Sequence, residues 1–362
     1  MMKRRILSLV LAALLMAGCG SRVPEGTAPA VTTTTGGEVT GGATSGLPAT
    51  VPPATLPPVT ATTGEAPSHA VFGEMAYAYV EHIQEELPAR ISGTVQERAA
   101  ADFILGELQA AGYTDRQIQE QPFSYVKQDG RSYQSQNLII TREGKGEGFI
   151  VVGAHYDSID GHGADDNGSG VGLLMETAAR LADAELPYTV KFIFFGAEEN
   201  GIFGSSHYVS SLTPEELKDI RLMVNLDCVM AGDRPYIFGG KFVKGRIVDT
   251  WAAERAKQTA DAWGLSMYLD TELEPRHLLF MSDQGPFREA DIPYVFFLAG
   301  NLDYYPEDPY RQTEKLPAFM NTPQDDLMLF KETFPGRAEE RLGDYATLLY
   351  YFLLEMEIGA AG

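Results

Sequence analysis

Cysteine is scarce in this chain: Cys19 and Cys228 are its whole complement in 362 residues. Two cysteines cannot build the disulfide framework that holds small exported domains. A folded domain here must rest on its apolar core, and 44% hydrophobic residues are enough for one large domain or two small ones. Positive charge is scarce too. Lys and Arg number 28 against 50 Asp and Glu, for a net charge of −22. Beyond residue 5 no stretch is rich in Lys or Arg. That excludes nucleic acid as a partner and excludes electrostatic adhesion to anionic lipid. A negative field does suit the cationic N-termini of peptides. Long apolar runs are also missing. The longest at the start, Ile6 to Met16, is too short to span a bilayer comfortably.

What is present begins with an address. Lys3, Arg4 and Arg5 form a charged head, Ile6 to Met16 an apolar core, and Ala17-Gly18 place small residues directly before Cys19. Small residues end a signal peptide, and a cysteine at that point resembles the bacterial lipobox, although Met16 is unusual there. The resemblance implies cleavage after residue 18, a lipid on Cys19, and a chain held at the outer face of the cytoplasmic membrane. Loss of three cationic residues would deepen the charge from −22 to −25. The alternative is an ordinary secretory leader with a chance cysteine. Residues 19–68 are Thr, Pro, Gly and Ala, as in TTTTGG and PPATLPP. Such a composition buries too little apolar surface to offset its ordering entropy, so it reads as a disordered tether. The folded domain is expected over 69–362.

Within that domain the apolar residues return in periodic runs. GFIVVGAH, TVKFIFFGAEE, RLMVNLD and IPYVFFLAG are short, continuous and rich in β-branched or aromatic residues, as buried strands are. Helical spacing occupies 71–87, 97–111, 170–181, 202–211, 245–263 and 337–357. Strands alternating with helices predict an α/β fold, a three-layer αβα sandwich on a largely parallel mixed central sheet. Ligands in such folds bind beyond the carboxyl ends of the strands.

Chemistry sits at those ends. His155 and Asp157 follow the first run. Asp165 and Asp166 follow in GADDNGSG, Glu198 and Glu199 close the second run, and Asp227 closes the third. Each piece alone is weak, since a His-x-Asp after a strand is common and a Glu-Glu pair is usually a solvated turn. Together they crowd carboxylates and an imidazole at one sheet edge. Buried carboxylates are costly unless paired or bound to metal, and this donor mixture suits zinc.

The set in this order resembles metallopeptidase family twenty-eight, the co-catalytic zinc aminopeptidases. The resemblance runs over nearly all of 75–357, through RISGT, Asn137-Leu138, GAHYDS, GADDNGSG, FFGAEENGIFGSSHY, NLD, SDQGPF and NTPQDD. It implies that His155 and Asp227 bind a first zinc, that Asp166 bridges two zincs, and that Glu199 binds the second. It makes Glu198 the general base and Asp157 the partner that fixes the tautomer of His155. Peptides are then the substrate, cleaved by a zinc-activated water whose proton Glu198 takes and returns to the leaving amine. Ser282-Asp283 would support the pocket.

One motif departs. The family's closing Tyr-His-Thr-x-x-Asp stands here as Met320-Asn321-Thr322-Pro323-Gln324-Asp325. Asn321 replaces the last histidine ligand, and its neutral carbonyl is poor beside imidazole. An earlier stretch around Asp303-Tyr304-Tyr305 also lacks histidine. Three readings follow: a firm first zinc with a weak second, rescue by His277, or loss of hydrolysis with the fold retained. The functional alternatives are therefore a non-catalytic binding protein on a peptidase fold and a single-zinc glutaminyl-cyclase-like enzyme. The latter subgroup keeps a final histidine, which this chain does not.

Overall fold

The computed structural model describes residues 71–127, 129–159, 161–243, 246–270, 281–304, 307–308 and 311–358. The leader, the tether, Cys19 and His277 lie outside the described residues.

Four continuous apolar runs form the centre of the sheet. They are β3 (Phe149–His155), β4 (Thr189–Phe195), β5 (Ile220–Leu226) and β9 (Tyr294–Gly300). They lie side by side in the order β4-β3-β5-β9, all parallel. Every residue of β3 and β9 is buried. This is why these strands lack polar alternation: both faces of a central parallel strand are covered.

Antiparallel strands flank this centre. On one side, β2 (Ser132–Arg142) pairs with β4, and β1 (Ile118–Val126) pairs with β2. On the other, β6 (Arg234–Val243) pairs with β9, and β7 (Arg246–Asp249) and β8 (Tyr268–Asp270) share its far edge. The resulting nine-stranded sheet is mixed, as expected, but parallel chiefly at its centre.

Alternating side chains supply the two cores. On one face Ile150, Val152, Phe192, Phe194, Val224 and Val295 join a large cluster. That cluster includes residues of α1 (Glu74–Glu86), α2 (Val95–Ala110), α3 (Gly170–Leu181), α6 (Trp251–Ala262) and α9 (Arg337–Leu354). On the other, Val151, Ile193, Phe195, Met223 and Phe296 pack with Tyr208 of α4 (Phe203–Ser211), Leu217 of α5 (Pro214–Asp219) and Phe287 of α7 (Gln284–Glu289). A short α8 (Leu327–Thr333) precedes α9. The described residues thus form the three-layer αβα sandwich that the sequence predicts.

Some boundaries differ from expectation. The helix expected over 245–263 begins only at Trp251, because Arg246–Asp249 pairs with β6 instead. Asn137 lies inside β2, a strand that no apolar run marks, and pairs with Gln121 of β1. Among the described residues no helix is long and apolar enough to cross a membrane.

Candidate metal centre and its surroundings

Parallel strands bring their carboxyl ends to one edge, and the predicted residues meet there. His155 is the last residue of β3 and is 1% exposed. Its Nε2 lies 3.3 Å from Oδ1 of Asp166 and 3.6 Å from Oδ1 of Asp227, the residue directly after β5. Ligating atoms of these three residues all lie within 4.8 Å of one another. Among the described residues they are the one such cluster of three.

Asp166 owes its position to a kink within the turn Ala164–Ser169, where its own backbone is non-helical at φ −104° and ψ 92°, entered through Gly163 at φ 56°. A Cβ on Gly163 would meet the Asp166 carbonyl at 2.7 Å, and one on Gly170 would meet that of Leu226 at 2.6 Å. The loop therefore closes only with glycine at these points. Remote residues hold it from outside. Asp325 accepts from the backbone N–H of Asp165 at 2.7 Å and of Asp166 at 2.8 Å. The Asp165 carboxylate in turn accepts from the N–H groups of Met230 at 2.8 Å and Ala231 at 3.2 Å, tying the turn to the loop after β5. Buried Arg90 of RISGT donates to the carbonyls of Tyr156, His162 and Gly163 at 2.8–3.0 Å. Neither Arg90 nor Asp325 has an assigned role in the sequence reading. Both act on backbone atoms far along the chain, which no local spacing reveals.

Asp157 has a second task beside the one expected. Its carboxylate accepts from the N–H groups of Glu198 at 3.0 Å and Glu199 at 3.3 Å. Its Oδ1 stands 3.7 Å from Nδ1 of His155, while its backbone carbonyl approaches that nitrogen at 3.2 Å. Asp157 thus aims the glutamate pair by its side chain and the imidazole by its main chain.

Electrostatics at this edge is strained by like charge. Burial and neighbouring carboxylates push Glu198 and Glu199 well above the usual carboxylate range. Burial pushes Asp283 up to about 7. Burial alone would lower His155, but Glu198, Asp157, Asp166 and Asp227 hold it well above its ordinary value. Burial works against Asp227, yet its contact with His155 brings it below the usual range. Oδ1 of Asp227 and both oxygens of Asp283 are buried without a hydrogen-bond partner. A divalent cation answers this arrangement: it supplies positive charge and gives the orphaned Asp227 oxygen a partner. The trio fits zinc by donor type.

Glu199 is not part of the trio. Its neighbour is Asn321, whose amide oxygen faces the Glu199 carboxylate; with the amide's O and N exchanged, the NH2 group would donate to Oε1 at 2.8 Å and Oε2 at 3.1 Å. In the alternative stretch, Asp303 pairs with half-buried Arg234 at 2.9 Å. His82 and His207 stack on Phe103 and Phe123 and take no part. Half-exposed His162 faces Asp326 at 3.4 Å.

The profile of Peptidase family M28 matches residues 137–346. The chain belongs to Peptidase family M28. Among relatives of this M28 chain, the Alkaline phosphatase isozyme conversion protein of Escherichia coli is 26% identical over 78% of this chain and 90% of its own length. Aminopeptidase YwaD of Bacillus subtilis is 31% identical over 62% of this chain and 46% of its own. "Probable lipoprotein aminopeptidase LpqL" of Mycobacterium tuberculosis is 40% identical over 30% of this chain and 22% of its own. The match thus spans less than half the length of the latter two relatives. In fold, the M28 chain is similar to BSAP, a zinc aminopeptidase from Bacillus subtilis, with a TM-score of 0.62 at 21% identity, covering 78% and 95% of the two chains. It is similar also to an Acidobacteriales bacterium glutaminyl cyclase, with a TM-score of 0.61 at 18% identity over 82% and 99%.

Proposed function

We propose that this M28 protein is a zinc-dependent aminopeptidase working outside the cytoplasmic membrane. The observation that carries the reading is the trio His155, Asp166 and Asp227 at the carboxyl edge of a parallel sheet, with Glu198 held beside it. The trio would hold zinc, which when bound polarises a carbonyl and lowers the pKa of water to about 7.

The chain's own residues do the rest. Glu198 has its backbone N–H anchored on Asp157, so its carboxylate is presented from a rigid strand end. Its raised affinity for protons suits a base that takes a proton from water and returns it to the leaving amine. The Asp157 carbonyl at Nδ1 of His155 favours the tautomer that leaves Nε2 free for metal. Asp283, buried and pushed up to about 7, adds a further charge that raises the proton affinity of Glu198.

The lipid anchor on Cys19 and the tether of 19–68 belong to the same proposal. They rest on the sequence pattern, and the lipoprotein relative supports them.

The test is release of amino acids from free and N-acetylated peptides by residues 69–362, with zinc and with chelator. Chelator-sensitive cleavage of free peptides alone is the expected result, abolished by Glu198→Gln. Absence of cleavage across a broad panel would favour a binding role. A second enzymatic reading has the cyclase-like fold and the trio of metal-type residues in its favour. The panel therefore includes peptides with N-terminal glutamine, whose cyclisation without cleavage would replace the peptidase reading.

A further inference from the structure

We propose that the site holds one metal ion per chain, on His155, Asp166 and Asp227, and that Asn321 closes the adjoining position by hydrogen-bonding Glu199. This rests on the metal reading above. The family resemblance implies a second ion shared by Asp166, Glu199 and a histidine. The residues at the second position here do not fit it.

The amide decides the matter. An Asn side chain offers one face that donates and one that accepts, and its partners reveal which is turned inward. The Asn321 amide oxygen faces the Glu199 carboxylate; exchanging the amide's O and N sets its NH2 group 2.8 and 3.1 Å from the two carboxylate oxygens. The carbonyl orientation sets three oxygens against one another and needs a cation among them. The NH2 orientation satisfies both groups without one. An amide nitrogen so engaged has no lone pair for a cation, and its protons take the Glu199 lone pairs that face Asn321.

Asn321 is not a loop residue that has drifted to this place. It adopts φ 60°, a left-handed conformation that asparagine tolerates better than most residues. Its turn is closed by the Thr322 N–H on the Phe319 carbonyl at 3.0 Å and by the Asp325 N–H on the Thr322 carbonyl at 3.0 Å. Phe319 is fully buried. Asp325 of the same turn holds the backbone of Asp165 and Asp166. The segment is thus locked to the metal loop, while the side chain it presents to Glu199 is a donor in place of a ligand.

The experiment counts metal. The purified chain, Asn321→Ala and Asn321→His are each equilibrated in a zinc buffer, passed through a desalting column and analysed for zinc by mass spectrometry against protein concentration. The expected result is about one zinc per chain for wild type and for Asn321→Ala, and about two for Asn321→His. Two ions in wild type falling to one in Asn321→Ala would overturn the proposal and make the Asn321 carbonyl a ligand. Two ions in both would overturn it as well, and a drop to one in His277→Ala would then name the missing ligand. Should Asn321→His fail to fold, wild type and Asn321→Ala still decide the count. No zinc in wild type would sink the metal reading itself, whereas two ions would leave that reading standing and remove only this inference.

Discussion

At the scale of single residues, the decisive contrast is between groups that would touch the metal and a group that would move a proton. Removing His155 takes away the nitrogen donor of the trio and leaves Asp166 and Asp227 as unpaired buried charges. His155→Ala should therefore lose zinc, and with it all activity. Glu198→Gln should keep zinc and lose about 10²–10⁴-fold in kcat, the usual worth of a positioned acid–base group. Zinc content and kcat measured on the same preparations separate the two. Equal zinc loss in both would show that Glu198 is a ligand. Glu97 gives a prediction away from the ligands. Burial, with Asp157 nearby, pushes its carboxyl from an ordinary 4.5 up to about 7, against hydrogen bonds from Ser135 at 2.5 Å and the Gly93 N–H at 2.7 Å. A carboxyl that titrates higher in the fold than in the unfolded chain favours folding while protonated. Its contribution is whole below 4.5 and is lost as pH rises through 7. Glu97→Gln is neutral throughout. It should gain on wild type by about 2 kcal/mol between pH 5 and pH 8, read as the change in the gap between their urea midpoints. A gap that does not move with pH would show that Glu97 stays ionised.

At the scale of elements, the metal turn Ala164–Ser169 contributes a ligand but depends on others for its shape. Asp325 receives two of its N–H groups and lies about 160 residues away along the chain. Asp325→Ala deletes no ligand of the trio, yet it should weaken zinc binding by about 10–100-fold, as loss of an outer support commonly does. Competition with a chromophoric chelator measures this, and unchanged affinity would show that Arg90 and Asp165 suffice. The same contrast explains what the sequence disclosed. The four central strands were legible because burial on both faces leaves an uninterrupted apolar run. The ligands after them were legible because parallel strands end at one edge. In β1 and β2 much of the chain is polar, as in IQEQPFSYV and SYQSQNLIITR, and several residues are exposed, so no run announces them. Strands β6 to β8 hid for a related reason: β7 and β8 are short, β6 carries a register shift where it pairs with β7, and all of β7 falls inside an expected helix. Arg90 and Asp325 lie within the motifs, but no local spacing gives them a role, because their work is done on main-chain atoms of distant segments. Asn321 was visible as a departure, but only its contact with Glu199 gives the departure a chemical direction.

At the scale of the whole molecule, charge and anchoring must be considered together. A chain with a net charge of −22 is repelled by anionic lipid, and removal of the proposed basic leader would strengthen the repulsion. Among the described residues no helix can cross the bilayer. If the protein lives on a membrane, the proposed lipid on Cys19 has to hold it against its own charge. A single acyl chain binds only marginally. The diacylglyceryl group implied by the lipobox resemblance brings two chains, and burial of each CH2 contributes about 0.8 kcal/mol. Cys19→Ala should therefore move the protein wholly from the membrane pellet to the soluble fraction of an expressing bacterium, with peptidase activity per molecule unchanged. High-salt washing should not release the wild type, because no ionic attraction holds it. Wild type found soluble, or released by salt, would mean that the leader is an ordinary secretory signal and that the Thr/Pro-rich stretch tethers the catalytic domain to nothing.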